Sequence, residues 1–94
     1  MGLEDGRSRF RPWVGERHPD LSDDDVRSAW ENQYRVTIRE TDSGRRHVAV
    51  GYDVRGREIE MVAVELEGGD WLVFHAMTPP SEKTYGELGM GRRR

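Results

Sequence analysis

Between Tyr34 and Met77 the chain alternates apolar and polar residues in four short runs, and the signals between the runs are tight turns. Tyr34, Val36 and Ile38 alternate with Arg35, Thr37 and Arg39, and the run stops at Asp42-Ser43-Gly44. Val48, Val50, Tyr52 and Val54 alternate with His47, Ala49, Gly51 and Asp53, ending at Arg55-Gly56. The third run extends from Glu58 to Leu66, with Ile59, Met61 and Ala63 set against Glu58, Glu60, Val62 and Val64, and closes at Glu67-Gly68-Gly69-Asp70. The fourth runs from Trp71 to Met77 and is stopped by Pro79-Pro80. Connections this short join only antiparallel neighbours, so the four runs predict an antiparallel meander. Apolar residues on both sides of the last two strands require cover on both faces of the sheet.

One helix precedes the strands. Ser22 is a capping residue with an acid three positions on at Asp25, and Leu21 and Val26 are placed to close a hydrophobic staple. Asp23, Asp24 and Asp25 fill the first turn, where the helix dipole favours negative charge. Val26, Ala29, Trp30 and Gln33 share one side, which predicts a helix over 22–33 with Trp30 toward the core. After the prolines, Ser81 caps a short segment carrying Glu82, Lys83, Tyr85 and Leu88, weakened by Gly86 and Gly89. The fold class is therefore α+β: helix, four-stranded antiparallel meander, short C-terminal helix. Residues 1–17 have no periodicity and read as a flexible arm that Phe10 and Trp13 could anchor. Residues 18–88 form the domain, and 89–94 form a basic, disordered tail.

Ninety-four residues hold one core and no second domain. The absence of cysteine excludes disulfides and thiolate metal sites and fits a reducing compartment, so a cytoplasmic location is expected. The longest apolar runs, such as Trp71-Leu72-Val73-Phe74, are far too short to span a bilayer, and MGLEDGRSRF has no apolar stretch of the kind a signal peptide needs. Fourteen of the fifteen basic residues are arginine, Lys83 being the exception, and the net charge is −3. Such a balance argues against strong non-specific binding to nucleic acid, so any phosphate site must be a local patch. Walker, dinucleotide-binding, zinc-protease and nucleophile-elbow motifs are absent, and His18, His47 and His75 are too scattered to suggest a metal. Neither a metal nor another cofactor is expected.

If Tyr34, Val36, Ile38, Val48, Val50 and Tyr52 face the core, Arg35 and Arg39 point the other way, beside His47. On the fourth strand Leu72, Phe74 and Ala76 would share the core side. Trp71, Val73, His75 and Met77 would then join the arginines and the carboxylates Glu58 and Glu60. Arginine binds phosphate with a two-pronged fork, and histidine exchanges protons near neutral pH. Together they suit phosphodiester cleavage through a 2′-hydroxyl. The same alternation also fits a solvated face laced with cross-strand ion pairs.

Several segments together resemble the BrnT-type toxin family. Arg17-His18 before the capped helix is similar to the family's Lys-His-Gly. Val48-Ala49-Val50-Gly51-Tyr52-Asp53 with Gly56-Arg57-Glu58-Ile59 resembles its "hydrophobic-Gly-x-x-x-x-Gly-Arg" hairpin. Phe74-His75-Ala76-Met77 sits where the family has "Ile-Ser-Ala-Arg", and Glu82-Lys83-Thr84-Tyr85 resembles its "Glu-Arg…Tyr". At two of these positions the chain departs, with His75 for the serine and Met77 for the arginine. The likeness covers about residues 17–86 and implies a RelE-like fold. It also implies a ribonuclease toxin of a prokaryotic type II toxin–antitoxin pair, restrained by a DNA-binding antitoxin encoded next to it.

On that reading the expected activity is metal-independent endoribonuclease cleavage. Arg35, Arg39, Arg45 and Arg46 would bind RNA phosphates. His75 and His18 would move protons, and Lys83 and Tyr85 would stabilise charge in the transition state. RNA and an antitoxin protein are the expected partners; a membrane is not, and both homo- and hetero-oligomers are compatible with the sequence. The alternative is a non-catalytic protein-interaction domain with a toxin-like fold.

Overall fold

A computed structural model describes residues 10–11, 16–17 and 20–90. Its elements are β1 (Phe10–Arg11), β2 (Glu16–Arg17), α1 (Asp23–Glu31), β3 (Gln33–Thr41), β4 (Gly44–Tyr52), β5 (Glu58–Glu65), β6 (Trp71–Met77) and α2 (Glu82–Glu87). β3 to β6 form the expected antiparallel meander, and the class is α+β. Within the segment read as an arm, β1 and β2 pair in parallel with β6, one beside Trp71-Leu72 and the other beside His75-Ala76. The rest of that segment lies outside the described residues, as do His18 and the terminal arginines. No helix among the described residues is long and apolar enough to cross a membrane.

α1 starts where its cap predicts. The Asp25 backbone N–H donates to Ser22 Oγ at 3.1 Å, and the Ser22 N–H donates back to Asp25 Oδ2 at 3.0 Å. It ends at Glu31 rather than Gln33, because Asn32 caps it and Gln33 already opens β3. Leu21, Val26 and Ala29 pack with Ala49, Ile59, Met61, Ala63, Val73 and Ala76, with Trp30 and Trp71 half-buried against this core.

The close seating of α1 depends on Gly51. A Cβ there would stand 2.0 Å from the Ala29 carbonyl oxygen and 2.9 Å from the Gln33 Cα, both backbone atoms that have no room to yield. The following turn is tied to the same helix. Arg57 donates to Asp53 Oδ2 at 2.8 Å and to Asp25 Oδ2 at 3.2 Å, and Arg55 reaches Asp25 at 3.3 Å. Asp53 also accepts the Arg55 and Arg57 backbone N–H groups, both at 2.9 Å. These bonds hold the Asp25 and Asp53 carboxyls below the usual carboxylate range: for Asp25 the Ser22 backbone leads, and for Asp53 the Arg55 and Arg57 donors overcome the penalty of burial. The Gly-x-x-x-x-Gly-Arg hairpin thus has a structural purpose, locking α1 onto the sheet.

Several expectations about sheet faces are corrected. Val36 and Ile38 are exposed, not core. α1 packs on β4 and β5; a helix about 10 Å across covers roughly two strands at 4.8 Å spacing, so edge strand β3 lies beyond it. Tyr34 is the extra residue of a bulge between Gln33 and Arg35, which turns it to the opposite face, stacked on Tyr52 with ring centroids 4.9 Å apart. β6 carries a second irregularity. Ala63 pairs with Val73 but Val62 pairs with His75, which leaves Phe74 as the extra residue. Trp71, Val73 and Ala76 therefore face α1, in place of the expected Leu72, Phe74 and Ala76. His47 is on the α1 side as well, its ring 5.3 Å from Trp30 and 4.6 Å from Trp71, away from the arginines it was expected to join.

Candidate functional site

The face opposite α1 carries Arg35 and Arg39 from β3, Arg46 from β4, Glu58 and Glu60 from β5, and His75 and Met77 from β6. α2 lies across it, with Thr84 fully buried beneath. Beside α2 an open cleft of about 470 Å³ is lined by Arg39, Arg46, Glu60, Phe74, His75, Ser81 and Lys83 among others.

At its wall His75 Nε2 lies 2.9 Å from Glu60 Oε2. The second Glu60 oxygen, Oε1, accepts the Ser81 backbone N–H and the Ser81 hydroxyl, each at 2.9 Å. Burial alone would favour the neutral acid, but the donors on Glu60, His75 first, outweigh it and hold the carboxyl down to about 2. Glu60 is therefore an ionised acceptor at neutral pH, and His75 must donate Nε2–H to it. That choice leaves the lone pair of the neutral ring on Nδ1, the arrangement of an oriented general base.

The basic residues differ in what they have left to offer. Arg39 is engaged by Glu87 through Nε at 2.9 Å and Nη2 at 2.6 Å, contacts that lead in holding its pKa above the ordinary value. Arg46 sits with its guanidinium 5.6 Å from the Phe74 ring centroid. Neither Arg46 nor Lys83 has a carboxylate partner among the described residues.

Of the residues expected to form the site, the cleft collects His75, Lys83, Arg39 and Arg46. It does not collect three others. Arg45 is on the α1 side of the sheet, exposed and paired with Glu40 at 3.1 Å, because odd-numbered β4 residues face that way. Arg35 donates to the Leu88 carbonyl at 3.3 Å and closes the end of α2. Tyr85 donates to Glu58 Oε1 at 2.7 Å, and Glu58 also accepts the Tyr34 hydroxyl, so this tyrosine anchors α2 to β5. His18 lies outside the described residues. Sequence reasoning missed Glu87 entirely. It had Ser81 only as a cap and Glu60 only as one acid of a face, since their meeting depends on how α2 folds back. Among the described residues no group of three His, Cys, Asp or Glu side chains is placed to hold a metal ion.

Comparison with known proteins decides nothing further. No family model, curated protein or solved structure matches this chain. The case for a function rests on the His75–Glu60 pair and the cations around it.

Proposed function

We propose that this protein is a toxin-like endoribonuclease that cleaves RNA through attack of a 2′-hydroxyl, the activity implied by its resemblance to BrnT-type toxins. The observation that carries the reading is the Glu60-oriented His75 on the wall of a cleft that also holds Arg46 and Lys83. In this mechanism His75 takes the 2′-hydroxyl proton at Nδ1, and the 2′-oxygen bonds to the adjacent phosphorus. The bond from phosphorus to the 5′-oxygen breaks, and that oxygen takes a proton from water or the Lys83 ammonium. The products are a 2′,3′-cyclic phosphate and a 5′-hydroxyl. Arg46 and Lys83 hold the phosphate oxygens as charge builds on them. Met77, standing where the resembled family has arginine, lines the cleft without adding charge, so phosphate stabilisation falls on β4 and α2 instead. An antitoxin from a neighbouring gene would silence the enzyme by covering this cleft, in the cytoplasm.

The test is incubation of the purified chain with RNA pools in EDTA, with product ends read by mass. Cyclic phosphate ends that vanish when the scissile ribose is 2′-deoxy support the reading. Intact RNA across all pools, together with unimpaired growth on induced expression, would sink it. A second reading, the non-catalytic interaction domain, is favoured by a separate observation, the bare Val36 and Ile38 on β3; it predicts no cleavage at all.

A further inference from the structure

We propose that two copies of this chain associate through β3, pairing edge to edge and antiparallel about a two-fold axis at Thr37. Among the described residues β3 ends the sheet on its side, bonded to β4 along one edge only, so its other edge presents N–H and C=O groups with no described strand beside them. β3 has no proline or lysine to guard this edge, its arginines are drawn toward α2, and its bulge at Tyr34 lies at one end, clear of the central stretch of Val36 and Ile38. β3 shows Val36 and Ile38, 47% and 50% exposed, side by side on the face that α1 fails to cover.

The occupant that fits this edge is β3 itself. With the axis at Thr37, Val36 falls opposite Ile38 of the second copy, and Ile38 opposite its Val36. The two strands then make one continuous apolar patch of four side chains. Moving the axis to Ile38 would set Val36 against Glu40, and moving it to Val36 would set Ile38 against the bulged Tyr34. On the other face Arg35 of one copy falls opposite Arg39 of the other. The two are not bare cations: Glu87 already neutralises Arg39, and Arg35 is drawn to the Leu88 carbonyl at the end of α2. Pairing of β3 with itself thus satisfies both faces in a single register, and does so independently of any RNA chemistry.

Because the chain has no cysteine, single cysteines report the register directly. Thr37→Cys places two thiols across the axis, with Cα atoms about 4.5–5.5 Å apart, within disulfide reach. Val36→Cys places its two Cα atoms about 8 Å apart, beyond that reach. The full chain is expected to sediment toward twice its monomer mass as concentration rises. Mild oxidation should cross-link Thr37→Cys and leave Val36→Cys single. Ile38→Glu should be monomeric while melting like wild type. A wild-type chain that stays monomeric at millimolar concentration overturns the proposal, including one whose β3 is taken by a different protein. So does a dimer that survives Ile38→Glu, or one in which Thr37→Cys does not cross-link.

Discussion

His75 and Glu60 are joined by a hydrogen bond of 2.9 Å although they are not opposite each other in the sheet. Glu60 pairs with Met77 and His75 with Val62, so the bond runs diagonally between β5 and β6, one step below the Phe74 bulge. Without the extra residue, Val73 and His75 would share one face; with it, Val73 turns to α1 while His75 turns to the cleft. The bulge therefore sets both the direction of the imidazole and its access to the cleft.

His75→Ala should lower RNA cleavage by about 10²–10⁴-fold, the usual worth of a positioned acid–base group. It should also lose about 1–3 kcal/mol of stability, since Glu60 Oε2 is left without its donor while Oε1 keeps both from Ser81. That loss is far too small to account for the fall in cleavage at a temperature where the variant is folded. Lys83→Ala, a fully surface-side change, should weaken cleavage with no change in melting. Single-turnover kinetics and calorimetry on the same preparations decide the matter. Wild-type cleavage by His75→Ala would remove it from the mechanism.

Glu60 gives the protein a specific acid sensitivity. Its carboxyl is held down to about 2 in the fold, against about 4.3 in an unfolded chain. A depressed carboxylate contributes stability that is complete above the unfolded value and is lost as pH falls toward the folded one. Glu60→Gln should therefore be less stable than wild type at pH 7, by about 1–3 kcal/mol. The difference should shrink between about pH 4.3 and 2. Urea titrations at a series of pH values would show two converging curves; parallel curves would mean that Glu60 is not held ionised by these partners.

Gly51→Ala should be among the most damaging single-methyl changes in the chain. The added Cβ meets the Ala29 carbonyl at 2.0 Å, so α1 must lift off β4. Overpacking typically costs about 1–3 kcal/mol, and a clash with backbone that cannot yield puts Gly51→Ala at or above the upper end. A urea midpoint indistinguishable from wild type would show that α1 sits farther from the sheet than described.

Trp30→Ala should destabilise by about 2–3 kcal/mol, below the range for a fully buried tryptophan, because Trp30 is only partly enclosed. It should also change how stability responds to pH. Burial between Trp30 and Trp71 pushes the His47 pKa down, so on acidification the unfolded chain takes up this proton before the folded one does. That penalty on the fold grows as pH drops below about 6.5. Removing the indole should shrink the penalty and bring the His47 ring, followed by NMR, closer to its ordinary titration. A His47 titration unchanged in the variant would contradict this account.

The four meander strands, the capped helix and their order were determined by the sequence alone, because alternation, capping and turn chemistry act over a few neighbouring residues. β1 and β2, two residues each with no period of their own, exist only through pairing with β6. Ser22–Asp25, Ser81 and the turn glycines are where local pattern predicts them. Which side of each strand is buried was decided by tertiary structure. Alternation in β3 is as regular as in β4, yet Val36 and Ile38 are bare because one narrow helix reaches only two strands. Two bulges then break the period of two that carries a facing argument along a strand, moving Tyr34 off the α1 side and Val73 onto it. The candidate site divides along the same line. Its residue types, arginine, histidine and lysine near strand ends, were legible in the sequence. The grip of Glu87 on Arg39, the departure of Arg45 and Tyr85, and the joining of Ser81, Glu60 and His75 were not. Those depend on α2 folding back across the sheet, a contact between residues some twenty to fifty positions apart that no local pattern encodes.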